Sequence, residues 1–284
     1  MLMIVGALIV IGCILGGFMM VGGEPMALWH VNEVLVICGG AFGAFVISNS
    51  MHTIKDVFGS IPKLLTGSPF KKSLYIDLLS LMYDLFDKSR KQGVMAIEAD
   101  VDNPTESELF SRYPAVLKHE ALISFIADYM RIISAGNLAP HEIEGLMDKE
   151  IETRQHELSE PAHAVGKVAD GLPGFGIVAA ILGIVLTMAS LGGPAELIGE
   201  KVGSALVGTL LGILLAYGFV GPTSQAMEAQ VAQEIFAFEC TKAAILAMMA
   251  GQAPQMSIEF GRKALSFADR PSFQELEEHI RSKK

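Results

Sequence analysis

The sequence predicts an all-α membrane protein: four transmembrane helices, with a large cytoplasmic helical domain between spans two and three. Three observations carry that prediction. Four apolar blocks, roughly 2–21, 34–50, 171–191 and 203–221, approach or reach the about 20 residues that a helix needs to cross a bilayer. Hydrophobic residues make up 51% of the chain and gather in these blocks, which one soluble core cannot use. Nowhere do apolar and polar residues alternate in the manner of a strand.

The first block has no Lys or Arg in front of it and is too long an apolar run for a signal peptide. The second is short and is expected to extend toward Asn32 or Met51. The loop between them, Val21 to Glu33, holds no Lys or Arg, and its Trp29 suits a membrane–water interface.

Segment 51–168 carries thirteen Lys or Arg, the tail after Pro222 seven, and the connection from Gly192 to Val202 only Lys201. Positive charge marks the cytoplasmic side, so both termini and segments 51–168 and 223–284 are expected there. The predicted organisation is 1–50, spans one and two; 51–168, a cytoplasmic helical domain; 169–222, spans three and four; 223–284, a cytoplasmic helical tail.

Within 51–168, Tyr75, Leu78, Leu79, Met82, Leu85 and Phe86 recur at helical spacing, with Asp77, Asp84, Lys88 and Lys91 on the other face. Thr105 and Glu108 read as a capping box, followed by a long amphipathic run to Ile133. "APHEIEGLMDKEIETRQHEL" reads as a further helix with acid near its start, and Ser272 with Glu275 as a second capping box.

The third block opens with proline, ends in Gly-Gly-Pro and carries no charge; the fourth carries a stripe of Ser204, Gly208, Gly212 and Ala216. Gly12 and Gly16, and Gly39 and Gly43, are also four apart. Such stripes let helices approach closely, either inside the four-helix bundle or against a foreign helix, and spacing leaves both open. No Asp, Glu, Lys, Arg or His lies inside the four blocks, and the third and fourth offer only hydroxyls: Thr187, Ser190, Ser204, Thr209 and Tyr217. An ion path through lipid needs an ionisable or coordinating group. Either the chain moves no ion, or another chain supplies the titrating group. Pro173 and Pro222 stand at the cytoplasmic ends of spans three and four, where they read as helix punctuation or as a matched pair of hinges.

The remaining classes are excluded in turn. A net charge of −10 argues against nucleic acid. Cys13, Cys38 and Cys240 lack metal or disulfide spacing, and His156 with His163 would need a third ligand, so no metal site is expected. There is no nucleophile arrangement, phosphate loop or nucleotide motif, so neither an enzyme nor a cofactor is expected.

The runs "KSRKQGVMAIEADVDNP" from 88, "LMDKEIETR" from 146, "DGLPGFGIVAAILGIV" from 170, "VGTLLGILLAYGFVGP" from 207 and "EFGRKALSFADRPSFQELEEHI" from 259, with four spans in this order, resemble the flagellar stator branch of the MotA/TolQ/ExbB proton channel family over essentially the whole chain. The resemblance implies a pentameric ring around a MotB-type single-span partner. That partner carries the ion-binding aspartate, and the ring contacts the rotor protein FliG. It implies that Arg90 and Glu98 touch the rotor and that Pro173 and Pro222 couple ion flow to conformational change. It implies that Thr209 faces the partner's aspartate. Ala180 stands where sodium-driven relatives carry threonine, which points to protons. Read without the resemblance, Arg90 suits a helix C-terminus and both charges suit solvated surface. Rival classes are a biopolymer-transport motor, against which four spans and the Arg90–Glu98 segment argue, and a scaffold without ion flow.

Overall fold

The computed structural model describes residues 2–136, 138–189 and 194–283. Thirteen α-helices are present among them and no strand: α1 (Leu2–Met20), α2 (Val31–Ser48), α3 (Met51–Thr66), α4 (Lys72–Gln92), α5 (Glu98–Asp102), α6 (Glu108–Ser111), α7 (Pro114–Leu117), α8 (Glu120–Ala135), α9 (Pro140–Met188), α10 (Ala195–Leu215), α11 (Gly221–Met249), α12 (Pro254–Ala264) and α13 (Phe273–Ser282). A π-helical turn, Ala216–Val220, joins α10 to α11. The four apolar spans fall in Leu2–Met20, Pro25–Ser48, Pro140–Met188 and Ile198–Met249. Ser190 and the Gly192–Gly193 turn lie outside the described residues.

The chain divides into two compact units. The first comprises Met1–Gly67 and Leu158–Gln230, the second Ser68–Glu157 and Val231–Lys284. These divisions fall at other residues than the ends of the apolar blocks. Helix α3 groups with the spans, and α9 and α11 each contribute to both units.

In the first unit, Phe45, Val57, Leu64, Ala162, Val165 and Met227 form one buried cluster, and Ile37, Ala41, Leu172, Ala179 and Ala216 another. Asn49 ends α2, its Nδ2 donating to the Phe45 carbonyl at 2.7 Å, and the Ser50 hydroxyl then caps α3 by accepting from the Thr53 amide at 3.2 Å. Ser224 donates to the Ala162 carbonyl at 2.8 Å, tying α11 to α9 inside the unit. Helix α1 buries no residue fully, and Leu2, Ile4, Val5, Leu8, Ile9 and Ile11 are among its exposed side chains, an apolar surface that suits lipid.

The second unit is built on α4. Tyr75, Leu78, Leu79, Leu81, Met82, Leu85 and Phe86 are buried, on the face that the 3.6-residue period marks. The Tyr75 hydroxyl donates to the Gln233 carbonyl at 2.7 Å. Phe125 of α8 meets Phe238 of α11 edge to face at 5.2 Å, and the Arg154 guanidinium lies 4.6 Å over the Phe238 ring. Gly261 of α12 approaches α11 so closely that a Cβ there would stand 2.7 Å from the Cys240 carbonyl.

Two local expectations change. The capping residue after Asn103 is Ser107 rather than Thr105, its hydroxyl accepting from the Leu109 and Phe110 amides. The long amphipathic run to Ile133 is divided into three helices, because Pro114 holds Tyr113 out of the α region and His119 starts a new helix. The Ser272–Glu275 capping box is present with both of its bonds, 2.7 and 3.2 Å.

Candidate functional site in the spans and at the end of the α4 helix

Helices α9 and α10 meet through residues with little or no side chain. A Cβ on Gly176 would stand 3.0 Å from the Gly208 carbonyl and 3.2 Å from the Gly212 Cα; one on Gly183 would stand 2.8 Å from the Ala205 Cβ. A Cβ on Gly212 would stand 2.7 Å from the Leu172 carbonyl. Any larger residue would push the two backbones apart. The Ser204–Gly208–Gly212–Ala216 stripe is therefore used inside the chain. A Cβ on Gly12, Gly16, Gly39 or Gly43, in contrast, would meet nothing within 4 Å beyond its own stretch of helix.

Thr209 and Ala180 are both half-buried, and each stands next in sequence to a residue of this seam, Gly208 and Ala179. Pro173 lies inside α9, half-buried, and α9 continues through it. Pro222 lies in the first turn of α11, exposed, just past the π turn. The Gly221 amide reaches the Ala216 carbonyl, a five-residue step. Proline explains the wide turn: Pro222 has no amide to offer the Gly218 carbonyl, and its ring would collide with that carbonyl in a regular helix.

One residue was missed in the sequence. Helix α2 starts at Val31, in line with the expected extension of this block toward Asn32, and this brings Glu33 into the span. Glu33 is only 7% exposed. Its Oε1 accepts a hydrogen bond from the Ser204 hydroxyl of α10 at 3.2 Å, and its Oε2 fills the space beside Gly208, where a Cβ would stand 2.6 Å away. The signal was available: Glu33, Ile37, Ala41 and Phe45, each four residues on, are the buried face of α2.

In the second unit, Arg90 and Glu98 are exposed, one in the last turn of α4 and the other in the first turn of α5. Gly93, at φ 88°, turns the chain between them. Beside them a charged hollow of about 850 Å³ is lined by Asp84, Asp87, Lys88, Lys91, Asp100, Glu106 and Arg112, among others. Its floor is cross-braced. Lys88 and Ser107 both donate to Asp100 at 2.6 Å, and the Tyr113 hydroxyl donates to Asp84 at 2.9 Å. Burial, then the Asp84 charge, push the Tyr113 phenol up, so it stays a donor.

His119 and Cys240 are packing groups. The His119 ring packs against Phe70 in a tilted pair, centroids 4.5 Å apart, and burial lowers its pKa. Cys240 is fully buried, and burial pushes its thiol up. Among the described residues no cluster of metal-ligating side chains exists.

Two family models match the chain: "Motility protein A N-terminal" over residues 4–93, and "MotA/TolQ/ExbB proton channel family" over residues 118–240. Motility protein A of Salmonella typhimurium is 45% identical over 282 residues, 99% of this chain and 96% of that protein. Motility protein A of Escherichia coli is 43% identical over 284 residues, 100% and 96% of the two chains. The fold is shared with the C. jejuni MotAB structure, at a TM-score of 0.78 and 20% identity, covering 95% of this chain and 98% of that one. It is also shared with the flagellar MotAB stator complex from Bacillus subtilis, at 0.71 and 20%, with the same coverage.

Proposed function

We infer what this chain does from the family to which it belongs, the MotA/TolQ/ExbB proton channel family, where it stands among the motility A proteins. It is a multi-pass inner-membrane protein, not an enzyme, and the channel-forming subunit of a flagellar motor stator that couples proton flow to torque.

A MotB-type partner with one span supplies the aspartate that protons bind and leave. One observation carries this reading. Beyond Glu33, at the loop end of α2, residues 2–20, 34–48, 171–188 and 202–215 contain no Asp, Glu, Lys, Arg or His. A carboxylate at the level of Thr209 must come from another chain. Since the α10 stripe is filled by α9 and Glu33, the partner helix meets the remaining faces, with Thr209 and Ala180 at the edge of the seam. An alanine at 180 offers no oxygen to a bare sodium ion, which favours protons.

Five copies ring the partner, with both termini, 51–168 and 223–284 cytoplasmic, as their Lys and Arg content supports. Protonating the partner's aspartate removes its charge and its preference for a polar neighbour. The spans then shift at Pro173 and Pro222, and Arg90 and Glu98 pass the step to FliG through charge contacts.

The test is proton leak. The chain is expressed alone, then with the single-span partner lacking its plug segment, and cytoplasmic acidification is recorded. Leak is expected only with the partner and is lost when the partner's aspartate becomes asparagine. Leak from this chain alone would overturn the borrowed carboxylate, and sodium entry in place of protons would overturn the choice of ion.

A further inference from the structure

We propose that Glu33 is a second protonation site on the conduction path: it takes protons from the outer water and hands them toward the partner's carboxylate. The proposal rests on the stator reading above.

Four observations support it. Glu33 is more than nine-tenths buried within a membrane-spanning helix, where an anion costs several kcal/mol unless it is neutralised or well solvated by the protein. A glutamine would make the same bond to Ser204 without that cost, so packing alone does not call for an acid. Next, α10 is shaped to receive the carboxyl: Ser204 donates to Oε1, and glycine at 208 leaves the slot that Oε2 fills. Then the carboxyl sits at the head of the α9–α10 seam. Ser204 and Thr209 are five residues apart on one helix, about 7.5 Å along its axis, within reach of one or two bridging waters. Last, Glu33 is at the end of α2 that adjoins the loop read as external, so it stands between outer water and Thr209.

The step balances without any co-reactant. The carboxylate gains a proton from the outer water and becomes a neutral acid. It loses that proton to the next acceptor inward, the carboxylate on the partner helix, and is an anion again. The Ser204 hydroxyl orients Oε1 throughout and keeps its own proton.

The titratable groups on the elements packed against Glu33 are few. On its own element His30 precedes it, with Nε2 3.1 Å from the Ala27 carbonyl. On α10, Glu196, Glu200 and Lys201 lie in the turns before Ser204. On α9, nothing ionises between Asp170 and Met188.

The experiment uses the full chain with its unplugged single-span partner and follows proton leak against external pH. Glu33→Gln keeps the shape and the bond to Ser204 but cannot hold an exchangeable proton. It is expected to cut leak about a hundredfold or more, the order seen when a proton-transfer group is lost. Glu33→Asp is expected to keep measurable leak with a shifted pH profile, since the shorter acid still titrates but no longer reaches Ser204 as before. If Glu33→Gln leaks like the unsubstituted pair across the pH range, the relay is wrong and the stator reading stands. If the unsubstituted pair itself does not leak, both fall. Should Glu33→Gln fail to accumulate in the membrane, Glu33→Asp decides alone, and an unchanged profile overturns the proposal.

Discussion

The Nζ of Lys88 lies 2.6 Å from Oδ2 of Asp100, joining the last turns of α4 to α5 across the Gly93 turn. Asp100 is nearly buried, and its other oxygen takes the Ser107 hydroxyl at 2.6 Å. The same hydroxyl caps α6. One carboxylate therefore fixes the two segments that present Arg90 and Glu98. Asp100→Ala should cost about 2 kcal/mol, the scale of losing hydrogen bonds to a charged group, discounted for the partial exposure of Lys88. Torque should fall as well, with Arg90 and Glu98 unchanged. Thermal unfolding in detergent and the speed of tethered cells measure the two effects, and normal torque in a destabilised variant would remove Asp100 from the rotor contact.

The Arg90 and Glu98 contact itself is electrostatic and exposed, so it should be sensitive to salt. Exposed charges are screened over about 8 Å at physiological ionic strength and about 3 Å at 1 M. Binding of the detergent-purified stator to FliG should weaken steadily over that range. Arg90→Glu combined with Glu98→Lys should reduce torque while leaving proton leak intact. Unchanged torque in the double variant would show that these charges are only solvated surface.

Much of this was legible in the sequence, for reasons that differ by element. The four spans follow from long apolar runs, which few other structures can use, and the Ser272–Glu275 box from two residues three apart that bond reciprocally. Pro161 and Pro173 look like helix ends in one dimension, yet α9 runs through both, because neighbouring helices hold it where its own hydrogen bonds lapse. Glu33 looked like the last residue of a polar loop. Only the position of α10, with a hydroxyl at 204 and no side chain at 208, makes it a buried acid. The stripe on α10 announced close packing, but spacing alone does not say which helix fills it. Lys88, Asp100 and Ser107 are brought together by the Gly93 turn, which no periodicity encodes.

His119 gives the second unit a pH dependence of definite sign. Its ring is packed on Phe70, and burial holds its pKa below the ordinary 6.5. The unfolded chain therefore binds more protons than the folded one between the lowered value and 6.5. The stability from the neutral, packed ring is fully present above pH 6.5 and is lost as pH falls from there through the folded value. Unfolding followed from pH 7.5 to 5 should show this loss, and His119→Phe should flatten it while keeping the ring contact. An equal slope in the variant would assign the acid sensitivity to other groups.

Pro222 should trade stability for motion. Its missing amide leaves the Gly218 carbonyl without the regular helical donor, and the chain responds with the π turn from Ala216 to Val220. Proline within a helix costs up to about 3 kcal/mol, less near its first turn, and π turns interrupt helices where function requires it. Pro222→Ala restores a donor that can close the turn into regular α-helix. The variant should be more stable to heat, by about 1–2 kcal/mol on that scale, because the Gly218 carbonyl regains its helical donor. It should also lose torque, because α10 and α11 would become one stiff rod where the spans have to flex. Ala216 is fully buried and Gly218 packs against Val10 of α1, so straightening the turn would shift both contacts. Calorimetry of the purified stator and motility of cells carrying the variant read the two effects together. A more stable variant with normal motility would make the π turn a passive consequence of proline; a less stable one would mean that the turn is the better-packed state, and the hinge would have to lie at Pro173.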